Sequence, residues 1–282
     1  MVPPCPFMDF SVCVLLYGDH ASLAARCLNS IASGTVRRVR DYRVGLNAVS
    51  AETRNFAYAW AEERRKAGIP VYIFETPINR YKYPIMRRML YTEPPIPKPA
   101  DLIMWFDDDS YLTNEDPDWI DKVYEVASTH DVVGQYGWEM PMQGRQWNWI
   151  MSQMWFNETV GPPQPGKSNR PAFRFVQGAW WVARRAFLAA HNYPWPELRH
   201  NGGDSMLGEM CRHVGAKMAR FDEGVRINAD ADGNHSKATR RGDTTDERIG
   251  AKYDGTPLDT SHQQFLIQIT QFLPEPQDAH SN

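Results

Sequence analysis

Short apolar runs alternate with amphipathic stretches along the first half of the chain. The first run, residues 10–17 (FSVCVLLY), is almost continuously apolar, which is typical of a strand buried on both faces of a sheet. The runs that predict strands are residues 10–17, 42–46, 71–75 and 101–106. The stretches that predict helices are residues 21–31, 51–67 and 84–91. This alternation predicts an α/β fold with a mostly parallel sheet, in which ligands bind beyond the carboxyl ends of the strands.

The pattern is less regular in the second half of the chain. The stretches that predict strands there are residues 131–136, 173–183 and 217–221, and those that predict helices are residues 184–190 and 204–214. Residues 161–171 (GPPQPGKSNRP) are typical of a mobile loop. The sequence is polar from Asn228 onward, and we expect the C-terminal tail to be loosely held.

The composition is that of a folded protein with a large core. Of the 282 residues, 42% are hydrophobic and 23% are charged, and the formal net charge is -3. These values exclude a disordered acidic tail and a strongly basic nucleic-acid coat. The N-terminal stretch lacks the features of a secretory signal, and no apolar run approaches the about 18 residues of a membrane-spanning helix. We therefore expect a cytoplasmic protein.

Cysteine usage points the same way. The four cysteines do not form a CxxC pair, which argues against a structural zinc site. Cys13 and Cys27 lie within apolar stretches, so we expect them to be reduced core residues. A reducing compartment fits this usage best.

Three adjacent carboxylates, Asp107, Asp108 and Asp109, follow directly after the predicted strand 101–106. Adjacent carboxylates repel one another and need a counter-charge to stay ionised. Mg²⁺ or Mn²⁺ supplies it, since these hard cations prefer carboxylate and phosphate oxygens. Such a metal neutralises charge that develops on a departing diphosphate. A solvated acidic turn or a helix cap is the structural alternative.

Asp204 follows an Asn-Gly-Gly turn and begins a predicted helix. The glycines, including Gly203, permit a close backbone approach at this point. An Asp there can cap the helix by accepting its first backbone N–H groups. An Asp that faces a pocket can also deprotonate an acceptor hydroxyl, and the two roles are compatible.

Basic residues and one histidine supply further candidates. His235 lies in a polar loop, and a neutral imidazole is a good ligand for Mn²⁺. Lys237 and Arg240 follow it and could clamp phosphates. Arg87 and Arg88 belong to the helix before the acidic strand, near Lys82, and could reach a pyrophosphate or nucleobase. A solvated basic face is the alternative interpretation of this helix.

Aromatic residues are dense between residues 137 and 156, where polar side chains separate the rings. At helical spacing such a stretch is more often core than a binding surface. The interleaved Gln, Asn, Arg and Glu are typical of a surface that lines a ligand. The acceptor-site candidates are Trp138, Glu139, Arg145 and Trp147, to which we add Trp180 and Gly203.

The order of these parts resembles the GT-A fold glycosyltransferases, particularly the family-2 inverting enzymes. The matching landmarks span roughly residues 10 to 240. They are the opening strand, residues 27–31 (CLNSI), the triplet 107–109 in the place of the DxD motif, residues 177–187, Asp204 with Leu207 and Gly215, and His235.

The resemblance implies a single Rossmann-like domain over residues 8–260, with a nucleotide-sugar-binding half at 8–112, an acceptor half at 113–260 and a tail at 261–282. It implies that Asp204 is the general base of an inverting transfer from a nucleotide-sugar to a hydroxyl. The implied ligands of Mn²⁺ or Mg²⁺ are Asp107, Asp109 and His235, with Asp107 or Asp108 as an alternative contact to the ribose. The candidate donor contacts are Tyr17, Asn47, Arg87, Arg88, Asp108, Lys237 and Arg240.

The sequence departs from the family pattern at two points. Asn47 stands where an Asp that reads the nucleobase is common, so uracil as the donor base rests on the resemblance alone. The segment that carries the base reads Gly-Asp instead of Glu-Asp. The acceptor therefore stays open between a glycan, a small molecule and a modified base in DNA.

Two other classes of function fit part of the pattern. A nucleotidyltransferase acting on sugar phosphates shares a similar sheet and metal-binding carboxylates, but usually has a Gly-rich phosphate loop after its first strand, of which residues 17–20 (YGDH) are a poor version. A non-catalytic carbohydrate- or nucleic-acid-binding protein could use the arginines at 37, 38, 40 and 43 and the Trp-rich stretch.

Overall fold

The computed structural model describes residues 10–141, 172–196, 198 and 203–229. The central sheet consists of β1 (Phe10–Tyr17), β2 (Val39–Asn47), β3 (Val71–Thr76), β4 (Leu102–Asp107), β6 (Val132–Pro141), β7 (Ala172–Arg184) and β8 (Met218–Arg220). A separate small sheet pairs β5 (Tyr111–Leu112) with β9 (Val225–Arg226). The helices are α1 (Ala21–Thr35), α2 (Ala51–Lys66), α3 (Lys82–Leu90), α4 (Trp119–Ala127), α5 (Arg185–Ala190) and α6 (Gly203–Val214).

The strands of the central sheet lie in the order β3-β2-β1-β4-β7-β6-β8. The first four are parallel to one another, and β7 is antiparallel to both of its neighbours, β4 and β6. β8 is parallel to β6. The prediction of a mostly parallel sheet flanked by helices is confirmed, and one continuous sheet crosses both predicted halves of the chain.

The parallel strands end together at one edge of the sheet. Tyr17 pairs with Asn47, and Asn47 pairs with Thr76, so the last residues of β1, β2 and β3 form a row. Asp107 ends β4 beside Leu15 of β1. The acidic triplet therefore lies at the carboxyl edge of the sheet, where parallel α/β folds bind their ligands.

Hydrophobic clusters cover both faces of the sheet. Along β4, Met104 and Phe106 belong to the cluster that includes side chains of α1, α2 and α4, whereas Ile103 and Trp105 belong to the cluster that includes side chains of α3 and α6. Successive strand residues point to opposite faces, so a strand buried on both faces has to be apolar at every position. This explains the continuous apolar runs of β1 and β4.

Local signals fix the ends of α2. Ser50 precedes the helix, and its hydroxyl oxygen accepts a hydrogen bond from the backbone N–H of Thr53 at 3.2 Å. Basic residues occupy the last turn, where they complement the helix dipole. The chain then leaves the helix through Gly68, which has a φ of +83°.

The two cysteines predicted to lie in the core do so. Cys13 and Cys27 are buried free thiols, which confirms that they are reduced core residues.

Among the helices of the described part of the chain, none has the length and apolar character needed to cross a membrane.

Candidate active site

The acidic triplet forms the turn that follows β4. The backbone N–H of Ser110 donates to the carbonyl of Asp107 at 3.0 Å and closes this turn. Asp108 is only 3% exposed, and its carboxylate accepts a hydrogen bond from the backbone N–H of Tyr17 at 3.0 Å. Asp108 therefore joins the end of β1 to the turn after β4.

Asp107 has a partner for each of its carboxylate oxygens. The indole N–H of Trp105 donates to Oδ1 at 2.9 Å. The ammonium of Lys82, at the start of α3, donates to Oδ2 at 2.6 Å. The Lys82 side chain is 8% exposed, so this charge-assisted hydrogen bond is shielded from solvent.

The pKa of the buried Cys27 thiol reflects the charges of all three carboxylates of the triplet. Burial raises the pKa of Cys27 well above its ordinary value, and the three carboxylates of the triplet raise it further. The Cys27 thiol also donates to the carbonyl of Asp107, with a sulfur–oxygen distance of 3.7 Å. The Cys27 thiol of α1 therefore lies close to all three carboxylates of the triplet, at the end of β4.

The chain returns to the triplet just after β9. The backbone N–H of Ala229 donates to the carbonyl of Asp109 at 2.8 Å. Arg26 donates to the carbonyl of Ala229 at 3.1 Å, and its guanidinium lies 4.5 Å from the ring centre of Tyr111. These contacts hold residue 229 beside the triplet, so the segment that carries His235 starts at this point.

The residues at this turn fit a hard divalent cation by their chemistry. Carboxylate oxygens are the ligands that Mn²⁺ and Mg²⁺ prefer, and the triplet concentrates them at the carboxyl edge of the sheet. No group of three or more His, Cys, Asp or Glu side chains arranged to hold a metal is found within the described ranges. A site here would need further ligands from the donor, from water or from residues beyond 229.

Asp204 is the second residue of α6 and is half-buried. Its Oδ1 accepts a hydrogen bond from the backbone N–H of Ser205 at 2.8 Å, as expected of a carboxylate at a helix start. Burial raises the pKa of Asp204, and the nearby charge of Lys82 acts in the opposite direction.

Gly178 of β7 lies next to both Lys82 and Asp204. Its carbonyl accepts a hydrogen bond from the Lys82 ammonium at 2.7 Å. A β-carbon added to Gly178 would lie 3.5 Å from Lys82 Nζ and 3.6 Å from Asp204 Cβ. Lys82 therefore pairs with Asp107 and lies close to Asp204.

Two tyrosines fix the peptide that precedes Asp204. A β-carbon on Gly203 would lie 2.1 Å from the Tyr83 ring, so only glycine fits under this ring. The hydroxyl of Tyr193 donates to the carbonyl of Gly203 at 3.2 Å. Gly203, predicted as an acceptor contact, is buried and serves the packing around Asp204.

Asn47 organises the loop between β3 and α3. Its Oδ1 accepts from the backbone N–H of Arg80 at 2.7 Å, and its Nδ2 donates to Asn79 at 3.0 Å. Asn79 in turn donates to the hydroxyl of Tyr17 at 3.3 Å. Tyr17 and Asn47, both predicted donor contacts, thus lie at the same edge and shape the loop that leads directly into Lys82.

Other predicted site residues lie apart from this cluster. Arg87 is buried, and its guanidinium donates to the carbonyls of Asn192 and Pro194, so its observed contacts hold a loop in place. Arg88 is exposed on the same helix. Trp180 is fully buried against Trp119 and Phe221. The expectation that Trp180 faces an acceptor is corrected here, because this side chain lies in the core.

Several predicted residues lie outside the part of the chain that is described. These are Arg145, Trp147, His235, Lys237 and Arg240, together with the tail at 261–282. Trp138 and Glu139 belong to β6, whose backbone is described while their side chains are not. The predictions for all of them stay predictions.

Sequence reasoning did not assign Lys82 to the site. The sequence grouped it with Arg87 and Arg88 as part of a basic helix. Its partners, Asp107 and Gly178, are 25 and 96 residues away along the chain. A local signal exists only in its position, as the first residue of a helix that starts at the ligand-binding edge.

Three of the four arginines considered as a nucleic-acid surface are paired with carboxylates within the protein, whereas the side chain of Arg40 is half exposed and lies 4.0 Å from Asp41. Arg37 and Arg38 both pair with Asp121 of α4. Arg43 is fully buried and pairs with Asp41 at 2.8 Å. These three side chains do not form an open basic patch.

No protein-family profile and no curated protein matches the sequence. Similar solved structures were found. GalNAc-T7, solved with UDP, GalNAc and Mn²⁺, has a TM-score of 0.53 and 11% identity over 80% of this chain and 46% of that one. The mannosyltransferase PcManGT from Pyrobaculum calidifontis, solved with GDP-Man and Mn²⁺, has a TM-score of 0.49 and 14% identity over 78% and 56% of the two chains. TarS from S. aureus has a TM-score of 0.46 and 17% identity over 77% and 58%.

The likeness to GalNAc-T7 shows the fold of this protein. The chain has the GT-A fold, as the order of its sequence landmarks predicted. It spans about half the length of the structures named above.

Proposed function

We propose that the protein is a metal-dependent inverting glycosyltransferase that moves a sugar from a nucleotide-sugar, with UDP as the nucleotide, to a hydroxyl acceptor. One observation carries the proposal. On a GT-A sheet, the buried cation Lys82 pairs with Asp107 of the acidic turn, and Lys82 and the half-buried Asp204 both lie close to Gly178. GalNAc-T7, which shares this fold, was solved with UDP, GalNAc and Mn²⁺.

The carboxylates at the end of β4 form the donor side of the site. Asp107 and Asp109, with His235, would hold Mn²⁺ or Mg²⁺ against the donor diphosphate. When bound, the metal supplies positive charge that stabilises the leaving nucleoside diphosphate. Asp108, which is fixed to the backbone of Tyr17, keeps the turn in register with the end of β1.

Asp204 forms the acceptor side of the site. Its carboxylate takes the proton of the acceptor hydroxyl as that oxygen attacks the anomeric carbon, and the bond to the diphosphate oxygen breaks on the opposite face. This single displacement inverts the anomeric configuration. Burial raises the pKa of Asp204 towards the range in which a general base is effective, and the Lys82 charge favours its ionised form.

The main test is donor turnover by an Asp204→Asn variant. Asn keeps the hydrogen bond from Ser205 but cannot accept a proton, so we expect the transfer rate to fall about 10²–10⁴-fold. Release of nucleoside diphosphate from a panel of nucleotide-sugars with Mn²⁺ measures this rate, and a chelator should abolish it. Asp101→Asn, whose side chain is 59% exposed just before the amino end of β4, is the control and should retain activity.

Three results would contradict the proposal. They are full activity of Asp204→Asn, full activity in the presence of a chelator, and release of pyrophosphate in place of nucleoside diphosphate. The last would favour a nucleotidyltransferase.

A further inference from the structure

Lys82 is a cation in a position that excludes solvent. Its ammonium is 8% exposed and lies 5.6 Å from the ring centre of Trp105 and 5.7 Å from that of Tyr83. A charge removed from water in this way destabilises the fold unless an opposite charge and hydrogen-bond acceptors compensate for it. Asp107 Oδ2 at 2.6 Å and the Gly178 carbonyl at 2.7 Å provide both.

The same contact neutralises part of the acidic turn. Without a nearby cation, three successive carboxylates would repel one another at the end of β4. Arg26 contributes one positive charge near the triplet, and its guanidinium lies over Tyr111 and donates to the carbonyl of Ala229. Lys82 contributes another, and its ammonium pairs directly with the Asp107 carboxylate at 2.6 Å.

The Asp107 carboxylate cannot serve Lys82 and a divalent cation equally well. Each of its oxygens already accepts one hydrogen bond, Oδ1 from Trp105 at 2.9 Å and Oδ2 from Lys82 at 2.6 Å, so a divalent cation bound at Oδ2 would share that oxygen with the ammonium. A positive ammonium at 2.6 Å also repels a second cation at this oxygen.

We infer that Lys82 is an internal counter-ion of Asp107 and lowers the affinity of the acidic turn for a divalent cation. This inference rests on the metal site of the proposed function and assigns a positioning role to a residue outside the predicted site. By pairing with Asp107 and Gly178 at once, Lys82 holds the turn after β4 against β7.

The test is the affinity for Mn²⁺ of the full chain, measured without donor or acceptor from the electron paramagnetic resonance signal of free Mn²⁺. In Lys82→Met, which keeps an apolar stem of similar length among the rings, Asp107 is released to the metal. We expect Mn²⁺ to bind at least about tenfold more tightly than to the native protein. Lys82→Arg, which keeps the charge, should restore the native affinity.

A matched control separates this effect from a general change of net charge. Lys122 also pairs with a carboxylate, Asp116, but its side chain is 52% exposed on α4. Lys122→Met removes the same charge, and its Mn²⁺ affinity should equal that of the native protein.

A second variant distinguishes loss of the Lys82 charge from misfolding of the protein. Lys82→Gln removes the charge but keeps a donor for the Gly178 carbonyl, and it should show the same gain in affinity as Lys82→Met. Thermal melting of each variant confirms that the folded protein is measured.

Unchanged or weaker Mn²⁺ binding in the folded Lys82 variants overturns the inference, as does absence of Mn²⁺ binding in all of the proteins. The proposed function fails on a different readout, because it requires release of nucleoside diphosphate. A chain that binds Mn²⁺ as expected but releases no nucleoside diphosphate would refute the function and leave the role of Lys82 intact.

Discussion

The Asp204 carboxylate, which we propose as the general base, destabilises the fold when it is ionised. A carboxylate that is removed from water favours its protonated form. The hydrogen bond from the Ser205 backbone and the Lys82 charge offset this effect only in part, because the pKa of Asp204 remains raised. The folded protein therefore binds a proton at Asp204 more readily than the unfolded chain does. Above the folded pKa, the ionised side chain opposes folding.

The pH dependence of stability follows from this sign. We expect Asp204→Asn to melt at a higher temperature than the native protein at pH 7, since Asn removes the buried charge. At about pH 3 and below, well under the ordinary Asp pKa of about 3.9, the carboxyl is mostly protonated in both the folded and the unfolded state, and the difference should vanish. Thermal melting curves recorded between about pH 3 and about pH 8, at intervals of about one pH unit, measure this difference in melting temperature.

The exposed Asp19 provides the comparison for this experiment. Asp19→Asn should leave the melting temperature nearly unchanged at every pH, because an exposed substitution usually alters stability little. A lower melting temperature for Asp204→Asn than for the native protein at pH 7 would show that Asp204 stabilises the fold in its charged form.

Local sequence predicted the residues whose position depends on their own strand or turn. Asp107 follows an apolar strand and Asp204 follows a glycine turn, and the structure places both beside Lys82. Local sequence could not predict the partners of Arg87 and Trp180. The Arg87 guanidinium donates to the carbonyl of Asn192, 105 residues further along the chain, and Trp180 packs against Trp119 at the start of α4.

At the scale of elements, β2 carries a buried ion pair that ties the sheet to residues 93–99 (EPPIPKP), the proline-rich loop before β4. Arg43 is 0% exposed and Asp41 is 2% exposed, with 2.8 Å between the guanidinium and the carboxylate. Arg43 also donates to the carbonyls of Met89 and Pro97, at 2.8 and 2.6 Å. One side chain therefore connects β2, the end of α3 and the loop.

Removal of this side chain should destabilise the protein strongly. Arg43→Met leaves the Asp41 carboxylate buried without its cation, and we expect the free energy of unfolding to fall by about 3–5 kcal/mol. Urea unfolding measures this change. Arg40→Met, whose side chain is half exposed and lies 4.0 Å from Asp41, should cost less than about 1 kcal/mol. Equal effects of the two substitutions would contradict this account.

The periodicity of the sequence predicted the elements of the first half well, because β1, β4 and most of β2 are buried on both faces. The observed β1 matches its prediction, and α2 differs from its prediction by one residue. The nine-residue helix α4 was not predicted. It is short, and its packing depends on Trp119, Ile120 and Val123, which are buried against the sheet.

At the scale of the whole molecule, the distribution of paired charges bears on the acceptor. The arginines near the start of β2 face the acidic side chains of α4 and are neutralised there. Arg37 and Arg38 are therefore already paired with carboxylates within the protein.

This placement predicts the outcome of a binding experiment with duplex DNA. Arg37→Gln and Arg38→Gln should leave any affinity for DNA, and its dependence on salt, unchanged. If these side chains contacted phosphates, each substitution would reduce the slope of log affinity against log salt by about 1. Gel shifts over a range of salt concentrations distinguish the two outcomes.

The row formed by Tyr17, Asn47 and Thr76 has a consequence for how the chain tolerates changes in length. A residue inserted or deleted within β2 would turn the Asn47 side chain to the opposite face of the sheet and separate it from Asn79 and Arg80. The same change in the exposed turn between α2 and β3 would leave the row intact. Variation in chain length is therefore compatible with this site in the turns at the amino ends of the strands, and incompatible with it inside them.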